Sequence, residues 1–127
     1  MSDRLTQVQK LILAAGTAGR VTFSPSALIA SQKLRVKAVT IIPNATSAAD
    51  NTNYATLGLY NGATAAATAR ATTVAGGALT QGTPFDLTLT AGQSDFSTAS
   101  PLSLQVAHSG TGVAVDVSVS VEYEVVR

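Results

Sequence analysis

The sequence predicts an all-β chain folded as a single antiparallel β-sandwich of jelly-roll type, and three observations carry that prediction. Apolar and polar residues alternate with period two through most of the 127 residues, the signature of strands with one buried face. Gly, Pro and Asn-Gly punctuators break the alternation at roughly the 8–12-residue spacing of sandwich folds. The last stretch, VAVDVSVSVEYEV at residues 113–125, is apolar at every odd position. No internal repeat of the propeller or solenoid kind is present.

Taken in chain order, the first element is the most ambiguous, because Leu5, Val8 and Ile12 also fit helical spacing. Strand parity is preferred, with a strand over residues 7–14, a turn at 16–19 and a second strand over 20–23. Leu34, Val36 and Ala38 then alternate with Arg35 and Lys37 before an apolar run through Val39, Ile41 and Ile42 stops at Pro43. The second half of that strand is expected to be covered on both faces. Ala55, Leu57 and Leu59 alternate with Tyr54, Thr56, Gly58 and Tyr60, and Asn61-Gly62 supplies the turn. Residues 61–82 are rich in Ala, Thr and Gly with Arg70 as their one charge, which predicts one or two weakly packed strands at a sheet edge.

Phe85, Leu87 and Leu89 alternate with Asp86, Thr88 and Thr90 between punctuators at 82–84 and 91–92. Leu102, Leu104 and Val106 alternate with Ser103, Gln105 and Ala107, and HSGTG at 108–112 predicts a reversal into the last strand, forming a C-terminal hairpin. Thirteen residues in that last strand would span about 43 Å at roughly 3.3 Å each, against a usual five or six residues. The expectation is a strand that bends between two sheets or runs past its own domain.

At 12.8 kDa the chain can bury about two thirds of its unfolded surface as one domain. It has no Cys, which removes disulfides, thiolate metal sites and cysteine nucleophiles. Charged residues make up 12% and hydrophobic residues 46%, where an ordinary soluble domain carries about 25% charged. The surface must therefore be largely Ala, Thr, Ser and Gly, a composition suited to packing against other subunits. The net charge is +1, but residues 1–37 set six cations against Asp3, while residues 38–127 set Arg70 and Arg127 against six carboxylates. Arg4, Lys10, Arg20, Lys33, Arg35 and Lys37 are accordingly the candidate contact residues for an acidic surface or another copy of the chain. An N-terminal contact segment at 1–20 ahead of a sandwich at 21–127 is the domain reading. No signal-peptide pattern and no run of about 18 apolar residues is seen, so a chain made in the cytoplasm and soluble there is expected. Asn44-Ala45-Thr46 matches a glycosylation sequon and is read as a turn.

Residues that carry chemistry are sparse in the sequence. His108, Ser109 and Asp116 are the residue types of a nucleophilic relay, but the flanking glycines explain that stretch as a turn. Asp50-Asn51-Thr52-Asn53 gathers oxygen ligands of the kind calcium takes, without the further carboxylates that would complete a shell, and is read as an Asx turn. Paired carboxylates for glycoside hydrolysis would have to come from Asp86, Asp95, Asp116, Glu122 or Glu124, three of which fall on the wet face of the last strand. Ala75-Gly76-Gly77-Ala78 lacks the Lys and the following helix of a phosphate loop. Lys33, Arg35 and Lys37 alone do not make a nucleic-acid surface. No catalytic, metal or cofactor site is expected, nor enzymatic activity.

At AADNTNYATLGLYNG (48–62), GGALTQGTPFDLTL (76–89) and PLSLQVAHSGTGVAV (101–115) the chain resembles small virion structural proteins of tailed bacteriophages, and among them head decoration, or cement, proteins. The resemblance covers about the last two thirds of the chain and consists of turn-and-strand phrases. It implies a β-sandwich that is often trimeric, sits on the capsid exterior and clamps neighbouring subunits of the major capsid protein. No cofactor, membrane or direct nucleic-acid contact goes with it, and no functional residue transfers position by position. Two other readings use the same architecture: a phage tail or head fibre domain, and a carbohydrate- or receptor-binding module. For the latter, Tyr54 and Tyr60 on one predicted face are the candidate sugar platform.

Overall fold

The computed structural model describes residues 4–23, 33–91, 95–96 and 101–126. Ten strands are present among them: β1 (Arg4–Leu13), β2 (Gly19–Phe23), β3 (Lys33–Pro43), β4 (Tyr54–Asn61), β5 (Thr64–Ala65), β6 (Arg70–Ala71), β7 (Phe85–Asp86), β8 (Asp95–Phe96), β9 (Leu102–Ser109) and β10 (Val115–Val126). One sheet runs β1-β10-β3-β7 with β8 also on β3, and the second runs β2-β9-β4-β5 with β6 also on β4. Every pairing is antiparallel.

The partners are nested: β1 with β10, β2 with β9, β3 with β7 and β8, β4 with β5 and β6. A long double-stranded ribbon closed at the β4–β5 turn and rolled into two sheets gives this order, which is the jelly roll. Gly62, at φ +63, makes that turn, and its N–H donates to the Pro101 carbonyl at 3.0 Å.

The inner faces meet in one core. The first sheet supplies Leu11, Leu34, Val36, Val39, Ile41, Val115, Val117, Val119, Val121 and Tyr123, and the second supplies Phe23, Ala55, Leu57, Leu59, Leu102, Leu104 and Val106. The strict alternation of β10 is thereby explained: Val115, Val117, Val119 and Val121 lie inside while Asp116, Ser118, Ser120 and Glu122 lie on the outer face. Both sides of the sandwich are tied. Gln9 Nε2 of β1 donates to the Thr22 carbonyl of β2 at 2.7 Å, and beyond β7 the chain leaves β3 to bond residues 66–68 through Thr68 N to Thr88 O and Thr90 N to Ala66 O.

Four expectations are corrected by this arrangement. First, β9 and β10 are no hairpin: β9 pairs with β2 and β4, β10 with β1 and β3, so the 110–114 reversal carries the chain from one sheet to the other. Second, β10 neither bends between sheets nor overruns, because β1 and β3 flank it at ten and eleven residues. Third, β3 is not covered on both faces. A bulge opposite Glu122 and Tyr123 leaves Lys37 without a register partner and shifts the inward parity from Leu34 and Val36 to Val39 and Ile41, with Ile42 half-buried on the outer face. Fourth, the strand expected over 85–89 is regular only at Phe85–Asp86, since its continuation changes sheets. A boundary at residue 20 falls inside β2, and Arg4 to Leu13 is in register with β10 throughout.

Candidate functional site

The charged residues divide unevenly between the sheets. Among the described residues every strand carboxylate, Asp86, Asp95, Asp116, Glu122 and Glu124, belongs to the first sheet; the strands of the second carry Arg20, Arg70 and His108 and no acidic residue. On the first sheet the charges are largely engaged. Arg35 Nε donates to Asp95 Oδ1 at 2.8 Å, and that contact raises the guanidinium pKa above its ordinary value. Lys37 Nζ stands 3.7 Å from Glu124, Thr40 Oγ1 donates to Asp86 at 2.6 Å, and Asn44 Nδ2 donates to Asp116 at 3.2 Å and Ser118 at 3.1 Å.

Of the six candidate contact cations, Arg4 and Arg35 both register with Glu124 of β10, which Lys37 also approaches, while Lys10 and Arg20 stand apart from that end. Lys10 is exposed on the outer face of the first sheet, and Arg20 is exposed on the second. Lys10 and Arg35 register with Ser118 and Glu124 of the shared neighbour β10, about 20 Å apart at strand rise. Arg4 and Lys33 lie in β1 and β3, with side chains outside the described residues.

What the pattern of cations missed is the apolar character of the same strand. Val8 and Ile12 are 61% and 63% exposed on either side of Lys10 on the outer face of β1. Strand β1 is an edge strand, with no strand on its far side among the described residues. The signal was present in the sequence: strand parity places Val8, Lys10 and Ile12 on one face, and a lysine there marks that face as wet.

The candidate relay is not assembled. His108 Nδ1 is 3.3 Å from the Gly110 carbonyl in the second sheet's terminal turn, whereas Asp116 is bonded to Asn44 in the first sheet. The Asp50 loop is a turn with structural partners. The Asp50 carboxylate accepts the N–H groups of Thr52 and Asn53 at 2.7 Å each, and these bonds, Asn53 foremost, hold its pKa below the ordinary value. Asn51 Oδ1 accepts Val74 N at 2.9 Å and Asn53 Oδ1 accepts Thr111 N at 2.9 Å, knitting three loops into one end of the sandwich. Among the described residues no three His, Asp or Glu are grouped to hold a metal, and no helix is long and apolar enough to cross a membrane.

Arg70 is a structural cation. Its Nη2 donates to the carbonyls of Gly77 and Ala78 at 3.1 and 3.2 Å, and its guanidinium lies 4.5 Å from the centre of the Phe85 ring. It fixes the long 72–84 connection that runs from β6 of the second sheet to β7 of the first.

No family model and no curated protein matches the chain. Among solved structures it is similar to a point mutant of the VP2 protein of infectious bursal disease virus in derived T=1 particles, at 16% identity and a TM-score of 0.20. That alignment covers 95% of this chain and 40% of the other. At that score the likeness carries no argument, and the class of protein, an antiparallel jelly-roll sandwich, rests on the strand pairing described above.

Proposed function

We propose that this chain is a capsid decoration protein that docks on the major capsid protein of a phage head and stabilises it by bridging shell subunits. The observation that carries the reading is the outer face of β1. Val8 and Ile12 are turned to solvent on a ten-residue edge strand, a feature that isolated sandwiches suppress because it invites pairing. Lys10 between them supplies a charge for an acidic partner. Several copies seated around one shell position would turn individually weak contacts into firm retention.

The test is sedimentation of heads stripped of this protein after incubation with wild type, with a Val8→Asp/Ile12→Asp double variant, or with Val74→Asp. Val74 is 65% exposed at the loop end of the sandwich and serves as the control. Wild type and Val74→Asp are expected to pellet with the heads and the double variant to stay in solution. Equal retention of the double variant would remove β1 from the contact, and no retention of wild type would remove the decoration reading.

A further inference from the structure

We propose that the outer face of the second sheet holds a binding groove for an acidic saccharide, a site independent of β1 and of the capsid reading. The groove has a volume of about 370 Å³ and is framed by Arg20, Thr56, Gly58, Tyr60 and Gln105. This lies at the small end of the roughly 300–1,000 Å³ of small-molecule sites, room for one or two sugar rings.

Its floor follows from the register. Arg20, Gln105 and Gly58 are direct cross-strand partners on β2, β9 and β4, so they form one row across the sheet, with Gly58 contributing no side chain. The Tyr60 ring occupies the space a side chain at Gly58 would take; an added Cβ there would stand 2.8 Å from the ring's Cε2. The result is a shallow trough with a phenol lying along it, a guanidinium at one end of the row and a primary amide at its centre.

Those three groups match the three parts of a sugar acid. An aromatic ring packs on the C–H face of a pyranose, and an amide exchanges hydrogen bonds with vicinal hydroxyls. A guanidinium takes a carboxylate in a paired, charge-assisted contact. The electrostatics select the acid over its neutral analogue. Arg20 has no carboxylate or carbonyl partner among the described residues, in contrast to Arg35 and Arg70. Among the described residues no acidic side chain lines the groove, and none occurs in the strands of its sheet. Gln105 is steadied by its own bond from Nε2 to Ser103 Oγ at 3.3 Å, which orients the amide before a ligand arrives.

The experiment is a backbone-amide NMR titration of the intact chain with digalacturonate, with the neutral galactose disaccharide and with acetate. Digalacturonate is expected to move the amides of Arg20, Gly58, Tyr60 and Gln105 while those of β1 stay in place. The neutral disaccharide should bind about tenfold more weakly or worse, and acetate should fail to shift Tyr60. Arg20→Gln, exposed and therefore tolerated by the fold, should bring digalacturonate down to the level of the neutral sugar; Tyr60→Ala should weaken both sugars. The proposal is overturned if digalacturonate leaves the groove amides unmoved, if neutral and acidic sugars bind equally, if Arg20→Gln binds the acid as wild type does, or if acetate reproduces the whole response. None of these outcomes involves heads, so failure here leaves the decoration reading untouched.

Discussion

Thr72 and Ala55 exchange two hydrogen bonds, one of them through a side chain: the Ala55 N–H donates to the Thr72 hydroxyl at 3.0 Å, and the Thr72 N–H donates to the Ala55 carbonyl at 2.9 Å. Thr72 is fully buried and follows β6 directly, where the chain departs from the edge of β4. Its hydroxyl stands where the next ladder carbonyl would have been, so the N–H of a buried alanine is not orphaned at the end of a two-residue strand.

Replacing Thr72 by Val keeps the shape and removes the acceptor. The expected loss is about 1–3 kcal/mol, the cost of leaving one buried donor unmade, with Thr72→Ser closer to wild type. Urea unfolding of the three proteins is the measurement. Coincident midpoints for Val and Thr would show that Ala55 N–H finds another partner.

Opposite outcomes are expected at adjacent positions of β10. Val117 and Val119 are fully buried and Ser118 faces outward beside Asn44. Val117→Asp and Val119→Asp each place an unpaired carboxylate in the core and should cost several kcal/mol, enough to prevent folding at ambient temperature. Ser118→Asp should lower the melting temperature only slightly. Similar effects at the two kinds of position would contradict the register of β10 against β1 and β3.

The parity of β10 was legible because a central strand with one dry face writes its burial directly into its residues. Other features were legible only in part. HSGTG announced a reversal, and Gly110 and Gly112 do take φ of +62 and +69, yet turn residues encode a change of direction and not the sheet that the next strand joins. Gly112 also shows how close that crossing runs, since a Cβ on it would stand 2.7 Å from the backbone nitrogen of Gly16 in the β1–β2 turn. The slip from Val36 to Val39 read as a continuous apolar run because a bulge moves parity by one residue without any special side chain. The groove row of Arg20, Gln105 and Gly58 had no local signal, as its members come from three strands joined only by register.

Acid should weaken the Asp50 turn. The Asp50 carboxylate is held below its ordinary pKa by the N–H groups of Asn53 and Thr52. A folded-state value lower than the unfolded one adds stability above the unfolded value, near pH 4, and loses it as pH falls through the folded value. Asp50→Asn lacks this titration. Urea midpoints followed from about pH 7 to about pH 2 should therefore fall more steeply for wild type than for Asp50→Asn on the acid side. Parallel curves would mean that the turn holds equally well with a neutral side chain.

The last expectation concerns self-association, and the faces of the sandwich separate it from shell docking. Residues 61–65 form an edge of Ala, Thr, Gly and Asn with no charge, and Thr64 and Ala65 of β5 are exposed there. That edge lies across the sandwich from β1, since β1 and β2 share the opposite side through the Gln9–Thr22 bond. If copies join through the uncharged edge, β1 remains free to face a shell. Light scattering at micromolar concentration should then give three times the 12.8 kDa chain mass, both for wild type and for Val8→Asp/Ile12→Asp, while Thr64→Lys/Ala65→Lys should give monomers that melt like wild type. A wild-type monomer at high concentration would refute the trimer. A trimer lost only in the Val8/Ile12 variant would make β1 the seam between copies, and the shell contact would then have to lie on another face.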